Sequence, residues 1–327
     1  MRKNAITRII IWSIVLVLLL GILFTFLIGG FRGWHSGLPS FYPGFNYKES
    51  SSYSVGAFNL EEPVSNLNVN WLGGSISIES YEGDVIAVTE TGALKENEAL
   101  RWRLRNGTLT IYPRRSFWFF GFGFGATLQK DLMIRIPAAW SSLSEISIDS
   151  VSAKISLGGL ALSELEIDNV SGNIALSGMQ ADEISIDNVS GSVTLSGISG
   201  GILNLDSVSG EIICTDTRLT AIDCDTVSGG ASFAGSLKRL DLNTASGSVR
   251  IESDQMLDEI SSDSVSGGVT VVMPDGDGFS AEMDSISGSL NSDFPLTSRG
   301  DRRIYGNGGA DYSFDSVSGD ANLLLKK

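Results

Sequence analysis

"ISIDNVSGSVTLSG", residues 184–197, has a near copy of itself on either side. Nineteen residues earlier the chain reads "LEIDNVSGNIALSG" (165–178), and nineteen later "LNLDSVSGEIICTD" (203–216). Aligned on its acidic position, the phrase recurs at Asp149, Asp168, Asp187, Asp206, Asp225, Asn243, Asp263, Asp284 and Asp315, at intervals of 19, 19, 19, 19, 18, 20, 21 and 31. A fixed period near 20 residues announces a solenoid, in which each unit buries its apolar face only against its neighbours.

Counted from the acidic residue, apolar side chains fall three before (Leu165, Ile184, Leu203), one before (Ile167, Ile186, Leu205), and then six and eight after. That alternation gives two short strands per repeat, each with one face inward, and places the acidic residue outside. The Val of Val-Ser-Gly (Val151, Val170, Val189, Val208, Val227, Val265, Val317, with Ile286 in its place once) is expected to fill the inner corner between the strands. Gly follows in every repeat but one, where Ala153 stands, as a sharp backbone turn requires. The predicted fold is all-β: a right-handed parallel β-solenoid with coils of about 19 residues, stacked about 4.8 Å apart, its handedness taken from the general rule for parallel crossovers.

Upstream of the array, residues 9–28 read "IIIWSIVLVLLLGILFTFLI" without a charge, long enough as a helix to span a hydrocarbon core of about 30 Å. Arg2, Lys3 and Arg8 precede this run, so the positive-inside bias places residues 1–8 in the cytoplasm and the rest of the chain outside the cell. The organisation predicted is a transmembrane helix over 9–29, a Gly-, Pro- and aromatic-rich linker over 30–54, an N-terminal β region over 55–144 that caps the solenoid, and the repeat array over 145–327.

Charge divides the same way. Residues 1–144 carry 13 Lys and Arg against 10 Asp and Glu, whereas 145–327 carry 10 against 28. So acidic a half repels nucleic-acid phosphates and anionic lipid heads, which excludes them as broad partners and leaves cations and basic partners open. Catalysis has little to stand on. His35, the sole histidine, lies in the linker, which excludes a Ser-His-Asp set, and neither zinc spacing nor a phosphate loop is present.

Four groups of residues are candidate sites. The stacked carboxylates Asp168, Asp187, Asp206 and Asp225 would repel by about 1 kcal/mol per adjacent pair, so something must offset them. The reading favoured is corner capping, each carboxylate accepting a hydrogen bond from the turn N–H or from the Ser three residues on; Ca²⁺ along the ladder is the alternative. The segment "RRSFWFFGFGFGATLQK" (114–130) brings together Phe117, Trp118, Phe119, Phe120, Phe122 and Phe124 between basic flanks, and either covers the end of the solenoid or enters a membrane interface or a partner's groove. Cys214 and Cys224 replace inward Leu and Ile, as buried small hydrophobes or as an internal disulfide. Arg299-Gly300-Asp301 matches an adhesion tripeptide, a weak motif in what reads as a solvated loop.

The tandem "D-N/S-V-S-G" repeats, the lead-in "LNVNWLGGSISIES" and the closing "YGNGGADYSFDSVSGDANLLL" resemble the LiaG-like putative-adhesin family of bacterial envelope proteins, over roughly residues 55–327. That resemblance implies a β-solenoid behind a membrane helix and carries over no catalytic residue. The expectation is therefore a non-catalytic, cofactor-free binding or scaffold module at the cell envelope, with an envelope or surface protein or glycan as partner, or self-association. The alternatives are a polysaccharide-active β-helix enzyme and a purely structural element.

Overall fold

The computed structural model describes residues 50–92, 99–113, 130–140 and 143–327. They form a continuous stack of β-strands, with one short 3₁₀ turn at Ser50–Ser52. Among these residues no helix is long and apolar enough to cross a membrane, and the run at 9–29 lies outside them.

In the middle of the stack the repeat maps onto coils without remainder. The strand Gln180–Ser190 pairs in parallel with Ala161–Ser171 on one side and Ser199–Ser209 on the other, placing Asp168, Asp187 and Asp206 in one row. The short strand Val193–Ser196 lies likewise between Ile174–Ser177 and Ile212–Thr215. Each of these coils sends four strand aliphatic side chains into the interior. In the Asp187 coil these are Ile184, Ile186, Val193 and Leu195, none more than 1% exposed. At about 1.5–3 kcal/mol per buried aliphatic side chain, these columns are the main favourable term holding coil to coil. Leu160, Met179 and Ile198 add another inward column at the second corner. Where one interval shortens to 18, a register shift between Cys214 and Thr217 absorbs the missing residue, with Asp216 at φ 54°.

The corner differs from the sequence expectation. The strand keeps alternating one residue further than hydrophobicity suggests, so the inward residue is the polar one after the Asp: Ser150, Asn169, Asn188, Ser207, Thr226 and Thr244 are all buried. Val151, Val170, Val189, Val208 and Val227 turn outward instead and stand half-buried along one edge of the stack. Val265 and Ile286 on the same edge are 41% and 70% exposed.

Both ends of the stack depart from sequence order. Asn66–Tyr81 pairs in parallel with Glu145–Gly158, with Asn70 opposite Asp149, and so forms another coil of the same kind. Its far side pairs in parallel with Thr108–Tyr112 and Lys130–Pro137, which supply a further coil from later in the chain. The boundary expected between 144 and 145 therefore runs through the middle of one stack. At the other end, Ala310–Ser316 pairs with Glu259–Ser266 on one side and with Gly278–Ser285 on the other. The Asp315 coil thus lies between the Asp263 and Asp284 coils, although it follows both in sequence.

Each end then closes with antiparallel strands. Ile86–Gly92 and Arg101–Arg105 cover the N-terminal end, and Arg302–Gly306 covers Gly278–Ser285 at the other. Aromatic rings plug the C-terminal end: Phe279 stacks on Tyr312 at 4.8 Å and meets Phe294 edge-on at 5.4 Å.

Candidate functional site

The repeated corner is the one place where every coil presents the same chemistry, and three side chains build it. The inward residue caps the turn. Asn169 and Asn188 donate from Nδ2 to the carbonyls of Gly172 and Gly191, at 3.0 and 2.9 Å. Asn169 also donates to Asn188 Oδ1 across the coils at 3.2 Å. Ser150 and Ser316 cap in the opposite sense, their hydroxyls accepting from the N–H of Ala153 and Gly319. The hydroxyl oxygens of Ser207, Thr226 and Thr244 have no hydrogen-bond partner among the described residues.

The Ser of Val-Ser-Gly joins one coil to the next rather than serving the Asp. Ser171, Ser190, Ser209 and Ser228 each donate to the carbonyl of the Val one coil earlier, at 3.3 Å. The glycine is fixed by geometry. At Gly210 φ is +138° and an added Cβ would lie 2.1 Å from the Gly191 carbonyl oxygen, so only glycine lets successive turns stack.

Capping by the inward residues leaves Asp149, Asp168, Asp187, Asp206 and Asp225 outside as a ladder about 4.8 Å apart. After Asp149, Asp168 and Asp187 the corner-capping role expected of the carboxylate belongs to the next residue, Ser150, Asn169 and Asn188. Partial burial between stacked coils pushes Asp168 up to about 7, with the charges of Asp187, Asp149 and Glu166 adding to it. Asp206 rises to about 6, first by burial, then by the charges of Asp187, Asp225 and Asp223 and a hydrogen bond shared with Asp187. Burial also raises Asp149, Asp187 and Asp225. At one end an amide eases the repulsion, since Asn243 Nδ2 donates to Asp225 Oδ1 at 2.7 Å. One carboxylate per coil in a straight row does not converge on a cation. Among the described residues no three His, Cys, Asp or Glu side chains are grouped to hold a metal.

The remaining candidates are dispersed. Cys214 and Cys224 are free buried thiols, not a disulfide. Each occupies its own interior column, Cys214 between Leu195 and Phe233 and Cys224 between Leu205 and Leu242, so each takes the place of a stacked apolar side chain. Burial raises both thiols, Cys224 to about 12. Arg299, Gly300 and Asp301 are exposed at the tip of the hairpin between Thr297–Arg299 and Arg302–Gly306. The neighbouring Arg302 makes ion pairs with Asp311 at 2.9 Å and Glu282 at 3.3 Å.

Phe117, Trp118, Phe119, Phe120, Phe122 and Phe124 lie outside the described residues. Lys130, which closes the segment, is described. Lys130, 1% exposed, pairs with buried Glu90 at 2.8 Å and reaches the Pro113 carbonyl at 3.4 Å, while Glu90 also accepts from the N–H of Leu100. Sequence reading passed over this buried pair because a single Lys and Glu 40 residues apart carry no pattern; the outward Val edge was missed because an apolar residue beside a turn reads as core.

Several solved structures resemble this chain. A "putative adhesin" from Bacteroides fragilis is 14% identical over 67% of this chain and 97% of its own, with a TM-score of 0.48. A "putative lipid binding protein" from Parabacteroides distasonis is 15% identical over 82% of this chain and 97% of its own, with a TM-score of 0.43. A "putative cell adhesion protein" from Clostridium sporogenes is 12% identical over 84% and 100%, with a TM-score of 0.28. Comparison with curated proteins returned no match. The family model described as Toastrack DUF4097 matches residues 64–324, from the first inserted coil to the last strand, and the chain belongs to that family.

Proposed function

We propose that this Toastrack protein is a single-pass envelope protein, N-terminus in the cytoplasm, that displays its β-solenoid outside the cell as a non-catalytic binding or scaffold module. The observation that carries this reading is an outward row in which one residue type recurs coil after coil, from Asp149 to Asp225. Such a surface offers many equal contacts to an extended partner. Catalysis needs one place where different groups converge. The uncharged run at 9–28 and the basic residues before it support the anchor and its orientation.

Fractionation of the producing cells tests the reading. The chain should stay with membranes through an alkaline carbonate wash, and protease added to intact cells should remove a tag placed after Lys327. A carbonate-soluble chain, or a protected tag, would overturn it. Pull-down of envelope proteins and a glycan array then identify the class of partner.

A further inference from the structure

The outward Val column is a half-buried apolar ridge along one edge of the stack. Val189 stands between Asn188 and Ser190, which pair with Ser207 and Ser209 on either side of Val208, so consecutive Val side chains follow the coil spacing of about 4.8 Å. Beside every Val, two residues earlier in the chain, stands the outward Asp. The edge is therefore a two-column strip, apolar along one line and acidic along the next.

The geometry points to this strip as the docking surface for a basic amphipathic helix, which lies along the stack with its apolar stripe on Val170, Val189 and Val208 and its Lys and Arg side chains over Asp168, Asp187 and Asp206. This rests on the reading of the chain as a binding module and names the chemistry of its partner. Three arguments select that occupant. A helix repeats every 5.4 Å, so over three coils it drifts from the Val column by only about 1–2 Å. The ridge is one side chain wide, far short of the roughly 800 Å² per partner that a stable complex buries, so charge must contribute. A second copy of this chain would bring the same acidic excess, 28 acidic against 10 basic residues over 145–327, whereas a basic helix complements it.

The test uses the full-length chain in phosphatidylcholine nanodiscs, with empty nanodiscs as the blank. The probe is a fluorescent 18-residue Lys/Leu amphipathic helix carrying one photo-crosslinking residue on its apolar face. We expect saturable binding that weakens with salt, crosslinks mapping to the turns at 187–191 and 206–210, and a loss of about tenfold in affinity for V189S/V208S and for D187N/D206N. T194A/T215A, on the opposite outer face, should bind as the parent does. Asn243 shows that the corner accepts an amide in place of the acid, so the Asp pair reports on binding even if the Val pair loses stability. Equal binding of oligolysine of the same charge, crosslinks elsewhere, or no binding would overturn the proposal. So would dimerisation of the unliganded chain that V189S/V208S abolishes, which assigns the strip to a second copy. Capture of some other envelope component by a chain that ignores the helix would also overturn it, while leaving the binding-module reading standing.

Discussion

The middle coils and the two ends of this molecule solve opposite problems. Between Glu164 and Ser228 each coil pairs with its sequence neighbours, and each repeats the same inward columns and the same staple from Ser to Val carbonyl. Nothing in that pattern says where to stop, and an unfinished edge is a template for further pairing. At both ends the pattern is broken in the same way: a coil from elsewhere in the chain is inserted, and antiparallel strands then cover the outermost parallel one. Extension is encoded locally and termination by long-range pairing.

The largest effect should come from breaking the middle. Gly210→Val puts a branched side chain where a Cβ already lies 2.1 Å from a carbonyl, and should cost more than about 4 kcal/mol or prevent folding, read by denaturant titration. Gly178→Ala is the contrast: φ is +58° but nothing lies within 4 Å, so the loss should stay near 1 kcal/mol. Equal losses would mean that stacking does not fix the glycine. Breaking the N-terminal end comes next. Lys130→Met leaves Glu90 as a buried charge and should cost about 3–5 kcal/mol, with Lys130→Met/Glu90→Gln costing less; additive losses would show that the two do not act as a pair.

Smaller effects sharpen the comparison between coils. Ser207→Asn extends the ladder of Asn169 and Asn188 by one coil and supplies the missing link to the Gly210 carbonyl, so stability should rise by about 1 kcal/mol. A loss would show that the corner has no room for the amide. The last effect is read in the pH dependence of stability. Asp168 titrates at about 7 in the folded chain against 3.8 unperturbed, so the folded state binds more protons between those values. Its contribution to stability is therefore full below pH 4 and is lost as pH rises through 7. The melting midpoint of Asp168→Asn should exceed the parent's at pH 8 and differ little from it at pH 4.5; parallel pH profiles would contradict the shift.

How much of this was legible follows from what is local. The 19-residue period and the inward Ile and Leu of each strand carried the fold, because strand alternation repeated over many coils leaves one arrangement of faces. The corner misled because an apolar Val beside a turn reads as core. The inner side of the turn takes a polar side chain instead, which at Ser150, Asn169, Asn188 and Ser316 hydrogen-bonds the turn, and so the Val faces out. The same repeats pointed to a family of adhesin-like repeat proteins, and the family that matches is Toastrack DUF4097, not the LiaG-like one specifically. The ends were not: no spacing announces that Asn66 pairs with both Thr108 and Glu145, or that Asp315 passes between Asp263 and Asp284. The acidic row was legible as a row, but the burial that raises its carboxylates depends on packing that sequence does not display.

The inserted Asp315 coil sets an order of events. The strands Glu259–Ser266 and Gly278–Ser285 cannot pair with each other in the finished molecule, because Ala310–Ser316 separates them. A chain emerging from its N-terminus can zip the middle coils one after another, each closing a loop of about 19 residues. It must then hold the Asp284 coil out of place until the residues beyond 310 arrive. Longer loops and non-local pairing slow that step. Closing this end therefore needs pairing between residues far apart in sequence, which the middle coils do not.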